Sequence, residues 1–267
     1  MKIPRSHPRY ASLLRREKLV RAWKAGIVVP EGLIAHGRGE AFDYLFGEES
    51  SAPALVAEKA AAAFLLSAKR PVVSVNGNVA ALAAREVVRL AKAVGARIEV
   101  NLFHRSEVRV RHVVAFLERA GARGVLGLRP DARIPGLESK RALSHRDGVF
   151  GADVVVIPLE DGDRAEALVR LGKTVVSVDL NPMSRTSLAA TVPVVDDVSR
   201  ALVQMERFAK ELRQDPREVS RLRNAYDRRG NLGAVYSFLG WRLEQLRRGR
   251  SRGGRQSPRT PRRTARR

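Results

Sequence analysis

Between residues 71 and 195 the sequence alternates between two textures, and that alternation leaves few folds open. Short runs dense in Val and Ile fall at residues 71–76, 97–103, 124–127, 153–158, 173–179 and 191–195. Between them lie longer stretches with apolar residues at helical spacing, at 79–94, 107–120, 164–171 and 196–212. Apolar strands separated by helices predict an α/β chain whose mostly parallel sheet has helices on both faces. Right-handed crossovers then bring every strand-to-helix turn to one edge of the sheet. Open α/β sheets bind their ligands at that edge.

The flanks read differently. Residues 8–25 predict a helix, with Tyr10, Leu13, Leu14, Leu19, Val20 and Trp23 near helical spacing and Gly26 to end it. Residues 32–47 predict a Gly-rich loop that turns helical around Glu40. Residues 53–68 predict an Ala-rich helix buried on most sides. Residues 216–246 predict a helical hairpin broken at Gly230-Asn231. Beyond Gly249 the chain is rich in Arg, Ser, Gly and Pro, with no apolar residue except Ala265, and predicts a disordered tail. The domain reading is therefore 1–212 for the main domain, with a helical part at 1–70 and an α/β core at 71–200. A helical extension follows at 213–248, and the tail at 249–267.

Composition narrows the chemistry. The 267 residues, 44% hydrophobic, suffice for a real core. Cysteine is absent, which excludes disulfides, thiolate nucleophiles and Cys-based metal sites. No apolar run approaches the ~20 residues of a membrane span, and residues 1–10 lack the apolar core of a signal peptide, so the expected setting is cytoplasmic. A net charge of +22 invites a nucleic-acid reading. Ten of those charges are the Arg from Arg247 to Arg267, a stretch without an acid; taking them from 22 leaves +12 on residues 1–246. The body is basic enough for phosphorylated ligands. Any nucleic-acid binding by the tail is expected to be weak, non-specific and salt-sensitive.

The polar residues collect at the predicted strand ends. Asn76, Gly77 and Asn78 follow the first strand, and Asn101, His104, Arg105 and Ser106 follow the second. Glu160, Asp161, Asp163 and Arg164 follow 153–158; Asp179, Asn181, Ser184, Arg185 and Thr186 follow 173–179. Four polar loops on one edge predict a site for a large anionic ligand. Arg16, Arg38, Arg105 and Arg185 can offer forked donors to phosphate, and Gly37 and Gly39 let the backbone approach beside Arg38. Asp161 and Asp163 suit Mg²⁺, which takes few protein carboxylates beside a nucleotide. Plainer readings stand beside each. His104 can simply cap a helix, His36 can bond to a loop backbone, and 76–78 and 161–163 can be ordinary turns. Arg16, in Arg15-Arg16-Glu17, has the setting of a solvated charge. Neither GxxxxGK(S/T) nor GxGxxG after a strand is present, which disfavours P-loop and dinucleotide-binding proteins.

Six segments, in one order, carry a resemblance: IPRSHPRY at 3–10, GLIAHGRGEAFDYL at 32–45, SVNGNVAAL at 74–82, EVNLFHR at 99–105, PLEDGDR at 158–164 and DLNPMSRT at 179–186. Over residues 2–212 the chain resembles the archaeal phosphopantothenate synthetase family, also called 4-phosphopantoate–β-alanine ligase. The resemblance implies a Rossmann-like homodimer that joins 4-phosphopantoate to β-alanine while ATP goes to AMP and pyrophosphate; attack of the pantoate carboxylate on the α-phosphate would give an acyl adenylate, with an acyl phosphate as the other route. It implies a nucleotide site of Arg16, Arg38, Asp179, Leu180, Asn181, Arg185, Thr186 and Asp197. On that reading His104 and Arg105 hold the substrate phosphate, and Asn76, Asn78, Asn101 and His36 its polar groups. Glu160 or Asp161 takes the β-alanine ammonium or the metal, and Asp161 with Asp163 holds Mg²⁺. Ala165 stands where the pattern leads one to expect Thr. Two other readings are a basic nucleic-acid-binding protein and a kinase of a pantoate-like substrate, which would release ADP.

Overall fold

The computed structural model describes residues 3–7, 9–36 and 38–248, without the side chains of Arg38 and Glu40. The Arg-rich tail at 249–267 and the expected phosphate contact of Arg38 lie outside the described residues. In chain order, α1 (Tyr10–Lys24), α2 (Pro30–His36), α3 (Arg38–Phe46) and α4 (Ala52–Ser67) precede the first strand, β1 (Pro71–Val75). Then come α5 (Gly77–Val94), β2 (Arg97–Val100) and α6 (Glu107–Arg119). Next is a two-stranded pair, β3 (Ala132–Arg133) and β4 (Leu143–Ser144). The alternation resumes with β5 (Val154–Pro158), α7 (Gly162–Arg170), β6 (Thr174–Asp179), α8 (Arg185–Ala189), β7 (Val192–Val195) and α9 (Val198–Leu212). The chain then forms α10 (Pro216–Ala225) and α11 (Arg228–Arg247).

The β-branched runs become a five-stranded, fully parallel sheet in the order β2-β1-β5-β6-β7. Alternate residues supply opposite faces. Val73, Val75, Val156, Val176, Val178 and Val194 pack with α1, α4, α5, α6 and α9. Val72, Val155, Ile157 and Val175 pack with α7, the end of α8 and the 128–152 excursion. The chain leaves β1 toward β2 on one side and returns as β5 on the other. The carboxyl ends of β1 and β5 therefore flank a crevice, the topological switch point of the sheet.

Side-chain caps set the helix starts. Ser51, Asn76, Ser106, Asp197, Asp215 and Asp227 each accept from a backbone N–H in the first turn of the helix they precede. The Asp227 cap moves the break in the C-terminal hairpin to Tyr226-Asp227. Gly230 and Asn231, expected to break it, lie in the first turn of α11. The expected loop at 32–36 is helical instead: Pro30 occupies the first helical position, where its missing N–H is not needed. The expected strand at 124–127 is absent. Gly124 and Gly127 take φ of 61° and 130°, outside the β region, and only Leu126 bridges to Glu99. Residues 213–248 pack back on the main body, with Leu232 and Val235 against Phe42, Phe46 and Val195.

Candidate active site

A cleft of about 510 Å³ opens at the switch point. That is within the usual range for small-molecule sites. Its floor is built by Asn76. The Asn76 Oδ1 accepts from Val79 N (3.0 Å), capping α5, and its Nδ2 donates to Pro158 O (3.2 Å) and Leu159 O (2.9 Å). One side chain thus ties the ends of β1 and β5 together across the crevice. Leu159 has φ 50°, a strained value for a branched residue, and its N donates to Val178 O at 2.9 Å. Gly77 must be glycine: a Cβ there would stand 2.3 Å from Ile27 O. Asn78 Nδ2 donates to Gly32 O (2.8 Å), joining α5 to α2.

One wall of the cleft carries Arg109, with Glu31 near it. Arg109 reaches in from α6, its Nε donating to Ile27 O (3.1 Å) and its Nη1 to His104 O (2.8 Å). Burial lowers the Arg109 pKa, and Glu31 opposes that shift. Beside it stand the first backbone amides of α5 and the exposed His104. A helix start of this kind favours an anion.

Another part of the lining pairs acids with guanidinium groups. Glu160, almost fully buried, is gripped by two guanidinium groups: Oε1 by Arg141 Nη1 at 2.6 Å, and Oε2 by Nη1 of the fully buried Arg164. Arg141 also pairs with Asp161 and lies over the Phe103 ring, 4.7 Å from its centroid. Behind Arg164 a buried chain runs through the sheet. Arg164 Nη1 donates to Ser74 Oγ (2.9 Å), Ser74 Oγ to Asn101 Oδ1 (2.9 Å), and Asn101 Nδ2 to Glu99 Oε1 (2.9 Å). Glu99 also accepts from Ser144 Oγ (2.9 Å) and Val149 N (2.7 Å), which fastens the 128–152 excursion and so places Arg141.

The third wall follows β6. Asp179 accepts from Asn181 N (3.0 Å) and Ser184 Oγ (2.6 Å), so the Asp179–Asn181 turn is rigid where it meets the cleft. Thr186 is buried and donates to Glu160 O (2.7 Å), holding the β5 turn from behind rather than lining the cleft. His36 lines the rim, and its pKa is lowered. Burial is the main cause; Asp197 opposes it, Arg15 adds to it, Asp43 opposes and Arg16 adds. Arg16 and Asp197 thus share the neighbourhood of His36 at the edge of the cleft.

Of the residues predicted from sequence, His36, Asn76, Asn78, His104, Glu160 and Asp161 line this one cleft, as does the Asp179–Asn181 segment with Leu180. Others are placed elsewhere. Asn101 belongs to the buried chain. Arg105 donates to Gly127 O, its pKa lowered chiefly by burial. Arg185 is exposed and forks onto Glu166 (3.1 and 2.9 Å). Asp163 accepts from Arg164 N (2.8 Å), and Asp197 caps α9. No group of three His, Asp or Glu side chains suited to a metal occurs among the described residues. Arg109, Arg141, Phe103 and Leu239 line the cleft without having been predicted. Arg109 recurs four residues after Arg105, one helical turn away, and that was its only sequence signal. Arg141 had none.

Residues 53–240 match the family model described as phosphopantothenate/pantothenate synthetase. A protein of Methanospirillum hungatei named 4-phosphopantoate–beta-alanine ligase is 59% identical over 80% of this chain and 87% of its own length. Proteins of the same name from Methanosarcina mazei and Thermococcus kodakarensis are 52% and 48% identical, each over 91% of this chain and 96% and 94% of their own. The chain belongs to the phosphopantothenate/pantothenate synthetase family.

Proposed function

We propose that the cleft condenses 4-phosphopantoate with β-alanine to 4′-phosphopantothenate, driven by conversion of ATP to AMP and pyrophosphate. The carrying observation is that one switch-point cleft brings together Arg109 beside the α5 start, the ion-paired Arg141–Glu160–Asp161 group, and an Asp179–Asn181 turn held by its own hydrogen bonds. The family relatives bearing the ligase name support the same reading.

A carboxylate is a poor electrophile. Its oxygen therefore attacks the α-phosphorus of ATP, and the bond to pyrophosphate breaks. The amine nitrogen of β-alanine, after losing one proton, attacks the acyl carbon of the adenylate. The C–N bond forms, a second proton leaves nitrogen, and the C–O bond to AMP breaks with its electron pair on the phosphate. Such a path asks for positioning and charge stabilisation, not for a protein nucleophile. Arg109, His104 and the α5 amides hold the phosphate of 4-phosphopantoate; Asn78 and His36 border its polar groups. Leu180 and Asn181 bound the nucleotide, with Arg16 and Asp197 on its flank, and the family resemblance assigns Arg38 to the same ligand. Arg185 joins them by leaving Glu166, and Thr186 acts through the Glu160 carbonyl. Both Glu160 oxygens are occupied, so Glu160 positions Arg141 rather than moving protons.

Magnesium accompanies the triphosphate, held by phosphate oxygens and water. Asp161 and Asp163 make a poor cage for it, since Arg141 holds the first and a backbone amide occupies the second. A homodimer in the cytoplasm belongs to the same proposal, on the family resemblance. Among the described residues no helix is long and apolar enough to cross a membrane. The test is product analysis with ATP, Mg²⁺, β-alanine and 4-phosphopantoate. The expected products are 4′-phosphopantothenate and AMP. ADP in place of AMP would favour a kinase or an acyl phosphate, and no product would end the reading. Pyrophosphate exchange without β-alanine tests the adenylate.

A further inference from the structure

We infer that Arg141 and Asp161 together form the amino-acid subsite, Arg141 binding the carboxylate of β-alanine and Asp161 its ammonium. The inference rests on the ligase reaction proposed above and assigns Arg141, a residue the sequence did not single out.

Three observations carry it. First, Arg141 is held but not used up. Only its Nη1 meets protein carboxylates, leaving the Nε–Nη2 edge without a partner among the described residues, in a side chain only 11% exposed on the cleft wall. That edge is the fork that grips a carboxylate through two parallel hydrogen bonds. Second, Asp161 stands at the N-cap position of α7 yet makes no cap hydrogen bond. Its carboxylate is turned out of its usual duty toward Arg141, and it remains 61% exposed. Third, the charges balance. Arg141 and Arg164 face Glu160 and Asp161, so this end of the cleft is neutral before a ligand arrives.

A guanidinium beside Asp161 repels a metal cation, and Asp161 beside Arg141 repels a polyphosphate. A small molecule with a carboxylate and an ammonium two methylenes apart satisfies both groups without net charge. The phosphorylated acid goes instead to Arg109 and the first amides of α5. Glu160 and Arg164 act as positioning residues, because they fix Arg141 from the side away from the substrate.

The test is steady-state kinetics on the full chain, varying one substrate at a time. Arg141→Met and Asp161→Asn are each expected to raise the KM for β-alanine at least tenfold while moving the KM for 4-phosphopantoate less than threefold. Arg141→Lys, which keeps the charge and loses the fork, falls between wild type and Arg141→Met. Ethylamine, an amine without the carboxylate, separates binding from folding damage: Arg141→Met loses far less on ethylamine than on β-alanine. An unmoved KM for β-alanine, or equal losses on both amines, overturns the assignment. Should the variants not fold, propionate is tried on the wild type; competition with β-alanine supports the subsite, and inhibition that β-alanine does not relieve overturns it. A wild type that forms no 4′-phosphopantothenate refutes the ligase reading itself, a result seen before any variant is made.

Discussion

Glu58→Gln is expected to stabilise the protein at pH 8 and to do little at pH 5. Glu58 lies on α4 with no accessible surface, and no donor among the described residues reaches its oxygens. Its pKa is pushed up to about 9, first by burial and then by the charge of Asp196 beside it. Asp196 accepts from Ser50 Oγ (2.5 Å), Asp197 N (2.7 Å) and Arg200 Nε (2.9 Å), which fixes its carboxylate beside Glu58. In the unfolded chain Glu58 ionises near its ordinary value of 4.5. Between that value and about 9 the folded state holds a proton that the unfolded state has lost. Stability is therefore fully present below the lower value and falls as pH rises, by at most about 1.4 kcal/mol per unit. From pH 6 to pH 8 the loss is up to about 3 kcal/mol, a large share of a typical domain's stability. Glutamine fills the same volume, donates to Asp196 and does not titrate. Urea unfolding of both proteins from pH 5 to pH 8 reads the difference directly. A gap between variant and wild type that does not grow with pH would refute a protonated Glu58.

Gly77→Ala is expected to lower stability by about 1–3 kcal/mol through forced movement of the Ile27 carbonyl, and to impair every substrate, since the α5 start moves with it; urea midpoints and KM values check both. Arg164→Met strips the buried Glu160 of one of its two cations and is expected to cost about 3–5 kcal/mol, with kcat falling as Arg141 loses its anchor. Glu160→Gln in the same background should recover part of the lost stability in denaturant titrations. Arg185→Ala removes only an exposed pair with Glu166, so the unfolding midpoint stays put while the KM for ATP rises at least tenfold; an unchanged KM removes Arg185 from the nucleotide site.

The parallel sheet was legible because its strands are short, β-branched and apolar on both faces, a texture that only a doubly covered sheet accommodates. The excursion at 128–152 was not legible. Its strands have two residues each, and what orders them is a single carboxylate, Glu99, reached from sequence positions 45 and 50 residues away. The site followed the same division. Asn76, Asp161 and Asp179 stand at strand ends and could be read from that position alone. The choice between Arg105 and Arg109 depends on which backbone carbonyl each finds. Arg105 turns to Gly127 and Arg109 to Ile27, and neither carbonyl is marked in the sequence. Thr186, which the family resemblance assigns to the nucleotide, and Asn101, read from its strand end, are both buried, Thr186 donating to Glu160 O and Asn101 accepting from Ser74 Oγ.

The last helix has a consequence for when the protein begins to work. Leu239 of α11 reaches the cleft, and Tyr236 Oη donates to Pro182 O at 3.1 Å, bracing the turn that follows β6. A nascent chain released from the ribosome as far as α10 already owns all five strands, yet lacks this brace. At translation speeds of about 5–20 residues per second, a short interval separates a folded sheet from a finished pocket. The cleft is thus finished only once synthesis has passed Leu239, and a protein cut between α10 and α11 is expected to keep the parallel sheet while losing the helical circular dichroism of α11 and the Leu239 side of the cleft.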